Sequence, residues 1–138
     1  MTAINRIRPE QAFAELSAQP RALLLDVRSR MEFEYVGHPR DASHIAWKEP
    51  PQWQVNQNFV AEVRALLAAR GETAPESVPL YLICRSGARS LAAAEELARH
   101  GFIELYNIEE GFEGERDQHG HRSTIGGWRF RGLPWEQG

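Results

Sequence analysis

Short apolar runs alternate with stretches of helical spacing along the 138 residues of the chain. Residues 9 to 16 place Pro9 at a helix start, with apolar Phe13 and Leu16 following, which predicts a short amphipathic helix ended by Pro20. Residues 22 to 27, with Leu23, Leu24, Leu25 and Val27, form a short continuous apolar run of the kind a strand buried on both faces shows, although periodicity alone leaves a helix open. Phe59, Val63, Leu66 and Leu67 recur at helical spacing, and Gly71 supplies the stop signal. Residues 78 to 83 predict a second buried strand. Residues 88 to 100 predict a helix with Leu91, Ala94 and Leu97 on one side, ended at Gly101, and residues 102 to 108 a third strand. Strands alternating with helices imply an α/β fold with a mainly parallel sheet covered on both faces, and nothing divides residues 1 to 138 into more than one domain. In such sheets, function gathers at the carboxyl ends of strands.

Composition narrows the chemistry by exclusion. No stretch approaches the roughly 20 apolar residues of a membrane span. The N-terminal residues 1 to 13 show no apolar core between their basic residues, so the expectation is a cytoplasmic protein. A net charge of -3 argues against a surface built to grip nucleic acid. The chain has one cysteine, Cys84, which excludes an internal disulfide framework and a cysteine-rich zinc site but leaves open a reactive thiol.

The surroundings of Cys84 therefore carry the functional reading. It ends a predicted strand and is followed by Arg85, Ser86, Gly87, Ala88 and Arg89 at the start of a helix. If that loop curls around the sulfur, the amide N–H groups of residues 86 to 89 converge on it and the helix N-terminus adds partial positive charge. Arg85 and Arg89 add full charges, and such settings favour thiolate over thiol. Gly87 supplies the backbone freedom a tight loop needs. A structural cysteine before an ordinary helix is the plain alternative; the combination of strand, cysteine, glycine loop and helix favours the reactive one.

The run from Cys84 to Ser90 resembles the active-site loop of the rhodanese, or thiosulfate sulfurtransferase, family. Asp26-Val27-Arg28, Glu32-Phe33 and Gly37-His38 resemble the family's upstream elements in their usual order, and residues 107 to 111 and 128 to 135 its closing segment. The resemblance implies a three-layer rhodanese-like fold and a two-step transfer. The Cys84 thiolate takes the outer sulfur of a small anionic donor such as thiosulfate, and a thiol or cyanide acceptor removes it, with covalent catalysis dividing the reaction. It further implies that residues 85 to 89 bind the anion, that Asp26, Arg28 and Glu32 brace the loop, that a sulfur-relay protein is a possible partner, and that no metal or organic cofactor is required. A persulfide carrier or regulatory binding module is the alternative. A cysteine-dependent phosphatase or arsenate reductase fits less well, because its arginine would stand six positions after the cysteine, where this chain has Ser90.

Other residues have plainer readings. His38 is expected to be structural, His100 to sit at a helix C-terminus, and His119 and His121 to lie in a polar loop without further metal ligands. The tryptophans are expected in the core, with residues 47 to 53 candidates for the mouth of the cleft. The pattern departs from the family at residues 37 to 45, where a differently shaped turn is expected, and between Gly111 and Trp128, where a charged insertion (residues 113 to 126) is expected to border the site and screen acceptors.

Overall fold

A computed structural model describes residues 3–138. The first two residues, which the N-terminal reading takes in, lie outside the described residues. The chain runs β1 (Asn5–Ile7), α1 (Pro9–Ala18), β2 (Leu23–Asp26), a wide helical turn (Glu32–Val36), β3 (His38–Pro39), β4 (Ser43–His44), β5 (Lys48–Glu49), β6 (Gln54–Val55), α2 (Phe59–Ala69), a 3-10 turn (Pro75–Ser77), β7 (Leu80–Ile83), α3 (Ala88–Arg99), β8 (Leu105–Ile108) and β9 (Trp135–Glu136). Five strands form a parallel sheet in the order β1-β8-β7-β2-β4. Two small antiparallel pairs, β3 with β9 and β5 with β6, stand outside it.

Strand alternation divides the core into two layers. Leu23, Leu25, Leu80, Leu82 and Leu105 pack on one face with Phe59, Val63 and Leu67 of α2 and Ala93, Ala94 and Leu97 of α3. Leu24, Tyr81, Ile83 and Ile108 face the other way, onto Ala12 of α1 and onto Phe112 and Trp128. Both faces of the central strands are thus removed from water, which is why their sequences read as continuous apolar runs.

Element boundaries differ from expectation for local reasons. β7 begins at Leu80 because Pro79, having no N–H, contributes only its carbonyl, which accepts from Leu23 N at 3.0 Å. β8 begins at Leu105 because Phe102 N still bonds to Leu97 O at 3.2 Å, closing the end of α3. Leu91 is 39% exposed, and the buried stripe of α3 runs instead through Ser90, Ala93, Ala94 and Leu97.

At the carboxyl end of β2 lies a buried ion pair. Arg28 and Asp26 are both fully buried, with Nη2 2.6 Å from Oδ2 and Nε 2.9 Å from Oδ1. Arg28 Nη2 also donates to Gly37 O at 2.6 Å, its carbonyl meets His44 Nε2 at 2.7 Å, and its guanidinium lies 4.5 Å from the centre of the Phe112 ring. Removing one partner strands the other charge away from water. Asp26→Ala is expected to lower stability by about 3–5 kcal/mol, measured as the shift in urea unfolding of the variant against the parent chain.

Candidate active site

Cys84 follows β7 at the carboxyl end of the sheet and is 1% exposed. Gly87 N donates to its Sγ at 3.1 Å, and Ser90 Oγ lies 3.2 Å from it. The expected convergence of residues 86 to 89 thus narrows to one amide and one hydroxyl. The amides of Ser86, Ala88 and Arg89 meet no acceptor among the described residues, so the loop keeps backbone donors for an anion. Gly87 caps α3 at φ 121°, a conformation that L residues rarely adopt, yet a Cβ there would meet open space. The demand for glycine comes from the backbone angle and not from crowding.

Asn107, which the sequence reading passed over, completes this arrangement. Its Oδ1 stands 2.5 Å from Ser90 Oγ, and its Nδ2 donates to Gly87 O at 3.1 Å. The single proton of Ser90 therefore has three acceptors in reach, Asn107 Oδ1 at 2.5 Å and both Gly87 O and the sulfur at 3.2 Å. One signal was available: a polar residue near the carboxyl end of the otherwise apolar strand Leu105–Ile108.

The C-terminal segment clamps the loop from behind. Phe112 N donates to Cys84 O at 2.7 Å, and Glu113 N and Gly114 N to Arg85 O at 3.0 and 3.2 Å. Gly111 lies so close that a Cβ would stand 2.5 Å from Cys84 O and from the Arg85 carbonyl carbon. Gly114 and Gly127 pass one another equally closely, a Cβ on Gly127 meeting Gly114 N at 2.7 Å. The insertion leaves from and returns to this glycine-packed neck.

A cleft of about 750 Å³ opens beside the loop, lined by Ser29, Glu32, Arg85 and Arg89 on one side and by Lys48, Trp53, Glu113 and Arg122 around them. The insertion thus borders the cleft through Glu113 and Arg122. Arg122 Nη1 donates to Gly114 O at 2.7 Å, Ser123 N donates to Glu113 O at 2.6 Å, and the Asp117 carboxylate gathers His119 N, His121 N and Thr124 Oγ1. His119 and His121 lie with ring centroids 6.4 Å apart, and no group of three or more metal-ligating side chains occurs among the described residues. Ser86 and Gly87 face a second, separate cleft with Asn107, Glu109, Glu110 and Glu115.

The predicted supports divide in place. Asp26 and Arg28 are buried behind the loop, whereas Glu32 and Arg89 form the wall of the cleft as a two-pronged pair at 2.7 and 2.9 Å. The Arg89 fork is therefore occupied by Glu32, while its guanidinium lies 5.8 Å from the centre of the Trp53 ring. Trp53 and Trp47 separate, the first 47% exposed on the cleft and the second buried against Phe59. Residues 37 to 45 do not line the cleft: Arg40 and Asp41 border a small cavity with Phe13 and Trp128 instead. His38 stacks on Phe33 with ring centroids 3.8 Å apart, and its Nδ1 meets Phe33 O at 3.2 Å; burial pushes its pKa down.

Burial would raise the Glu32 pKa, but the Arg89 fork and the Ser29 donors outweigh it and hold the carboxyl at about 2 against an ordinary 4.5. The unfolded chain binds the proton more readily, so this pair stabilises the fold above pH 4.5 and is lost as pH falls through 2. Thermal unfolding followed from pH 5 to 2 is expected to show a fall in midpoint across that window, and Glu32→Gln to flatten it.

Residues 9–117 match the rhodanese-like domain family. An uncharacterised Rickettsia prowazekii protein is 31% identical over 136 residues, covering 96% of this chain and 98% of that one. The thiosulfate sulfurtransferase GlpE of Pseudomonas putida is 32% identical over 113 residues, covering 82% and 86%. The crystal structure of Rv0390 from M. tuberculosis superposes with a TM-score of 0.84 at 40% identity over the whole of both chains. With its sulfur loop at the carboxyl end of a parallel sheet and this match over most of its length, the chain belongs to the rhodanese-like domain family.

Proposed function

We propose that the protein is a sulfurtransferase that carries a sulfane sulfur from thiosulfate or a related donor to a thiophilic acceptor through a persulfide on Cys84. The observation that carries this reading is the Cys84 sulfur itself: it accepts from Gly87 N at 3.1 Å, in a loop that keeps the Ser86, Ala88 and Arg89 amides for an anion. The similarity to GlpE points the same way. Burial of Cys84 to 1% exposure limits what can reach it to a slender end group, such as the terminal sulfur of thiosulfate.

In the first step the Cys84 thiolate bonds to the outer sulfur of thiosulfate, the S–S bond of the donor breaks, and sulfite departs with the bonding pair. Arg85, exposed on the cleft wall, draws the anion in, while Arg89 presents its charge from within the Glu32 pair. The free loop amides and the Gly87 N–H hold the negative charge of the persulfide. In the second step the acceptor removes the outer sulfur and restores the thiolate. Ser90 stands where a phosphatase loop would place its arginine, and its hydroxyl is committed to Asn107 and Sγ, which disfavours the oxyanion-hydrolase reading.

Intact mass after incubation with thiosulfate is expected to rise by one sulfur in the parent chain and not in Cys84→Ser, and cyanide is expected to remove the gain. No gain in the parent chain with thiosulfate or with polysulfide, or an equal gain in the variant, excludes Cys84 as the sulfur carrier. A gain that small acceptors discharge only slowly marks a relay carrier instead of a freestanding enzyme.

A further inference from the structure

The cleft beside the sulfur loop is larger and differently lined than a five-atom oxyanion requires. Its volume of about 750 Å³ falls within the span of about 300–1,000 Å³ usual for sites that take organic molecules of drug size. Met31, Val36, Pro50 and the ring of Trp53 line it, apolar surface that a small oxyanion does not use. Trp53 holds φ 55°, a conformation bulky residues avoid, and its N–H donates to Glu49 O at 2.9 Å, so the turn between β5 and β6 keeps an aromatic ring on the cleft.

The charges are distributed to match. Arg89 and Glu32 neutralise each other at 2.7 Å. Lys48, Arg85 and Arg122 form no ion pair among the described residues, and neither does Glu113, so the cleft carries an excess of two positive charges. Arg85 belongs to the sulfur loop. Lys48 comes from β5 and Arg122 from the far part of the insertion, both outside the sulfur loop itself. Arg122 has one N–H fixed on Gly114 O at 2.7 Å, which aims the guanidinium and leaves its other donors free.

Resting on the persulfide reading above, we propose that this cleft seats the sulfur acceptor, and that the acceptor is an organic thiol bearing two acid groups, with its apolar stem on Trp53 and Met31 and its acid groups on Lys48 and Arg122. The acceptor's thiolate bonds to the outer sulfur of the persulfide anion. The bond from that sulfur to Cys84 breaks, Cys84 keeps the electron pair as thiolate, and the outer sulfur leaves on the acceptor with its negative charge. Charge and electrons balance without an added oxidant or reductant.

The test uses the full chain loaded with thiosulfate and freed of excess donor. Loss of the added sulfur is followed by intact mass with mercaptosuccinate, with 1-thioglycerol and with cyanide, the two thiols compared at equal thiolate concentration. Mercaptosuccinate is expected to discharge the persulfide roughly tenfold faster than thioglycerol at low salt, an advantage that added salt erodes. The Lys48 side chain makes no hydrogen bond among the described residues; Lys48→Gln is expected to reduce the ratio of the two rates, and the pair Lys48→Gln with Arg122→Gln to bring it near one. Equal rates for the two thiols in the parent chain, or a ratio that survives both substitutions, overturns the acceptor seat while cyanide discharge upholds the persulfide. Failure to load, or a load cyanide does not remove, overturns the persulfide reading and the acceptor seat with it.

Discussion

A guanidinium with no access to water fixes the carboxyl ends of the strands. Arg28 donates through Nε and Nη2 to Asp26 and the Gly37 carbonyl, leaving Nη1 buried without a partner among the described residues, and it lays its face on Phe112, whose own N–H donates to the Cys84 carbonyl. One buried side chain thereby connects the end of β2, the turn after residue 36 and the residue that carries the sulfur. Buried ion pairs offer little net stabilisation over well-packed apolar groups. What this one provides is position: a hydrophobic substitute would fill the volume without specifying where Gly37 and Phe112 must lie.

The second constraint is main chain against main chain. Gly111 and the Cys84–Arg85 peptide, and Gly114 and Gly127, approach at distances no Cβ tolerates. The back of the sulfur loop is consequently a layer of backbone, rigid because its hydrogen bonds run between peptides. The insertion hangs from this layer and is tied to the body by Arg129, which donates to Ser123 Oγ and to Val36 O at 3.1 Å. A loop rich in charge and glycine thus ends in a defined place beside the cleft.

Much of this was legible in the sequence because it rests on local patterns. Three buried strands and three helices show in the apolar runs and stops, and the cysteine loop shows in its glycine and flanking arginines. Strands β1 and β4 escape notice because three and two residues are too few for a period to show; only the parallel neighbours Leu105–Ile108 and Leu23–Asp26 define them as strands. Likewise, nothing in the order of residues says that Glu32 takes the fork of Arg89, fifty-seven positions away, or that Asn107 meets Ser90. Those contacts arise from the sheet order, which places β8 and β2 on either side of β7.

The loop is also a partition. Arg85 and Arg89 look into a basic cleft, while Ser86 and Gly87 look into a separate one where Arg6 pairs with Glu109, Arg131 pairs with Glu110, and Glu115 forms no ion pair among the described residues. The Cys84 loop thereby separates a cleft with an excess of positive charge from one whose single unpaired charge is the Glu115 carboxylate. Its two faces thus meet solvent with different chemistry, a guanidinium wall on one side and a glycine turn beside a carboxylate on the other.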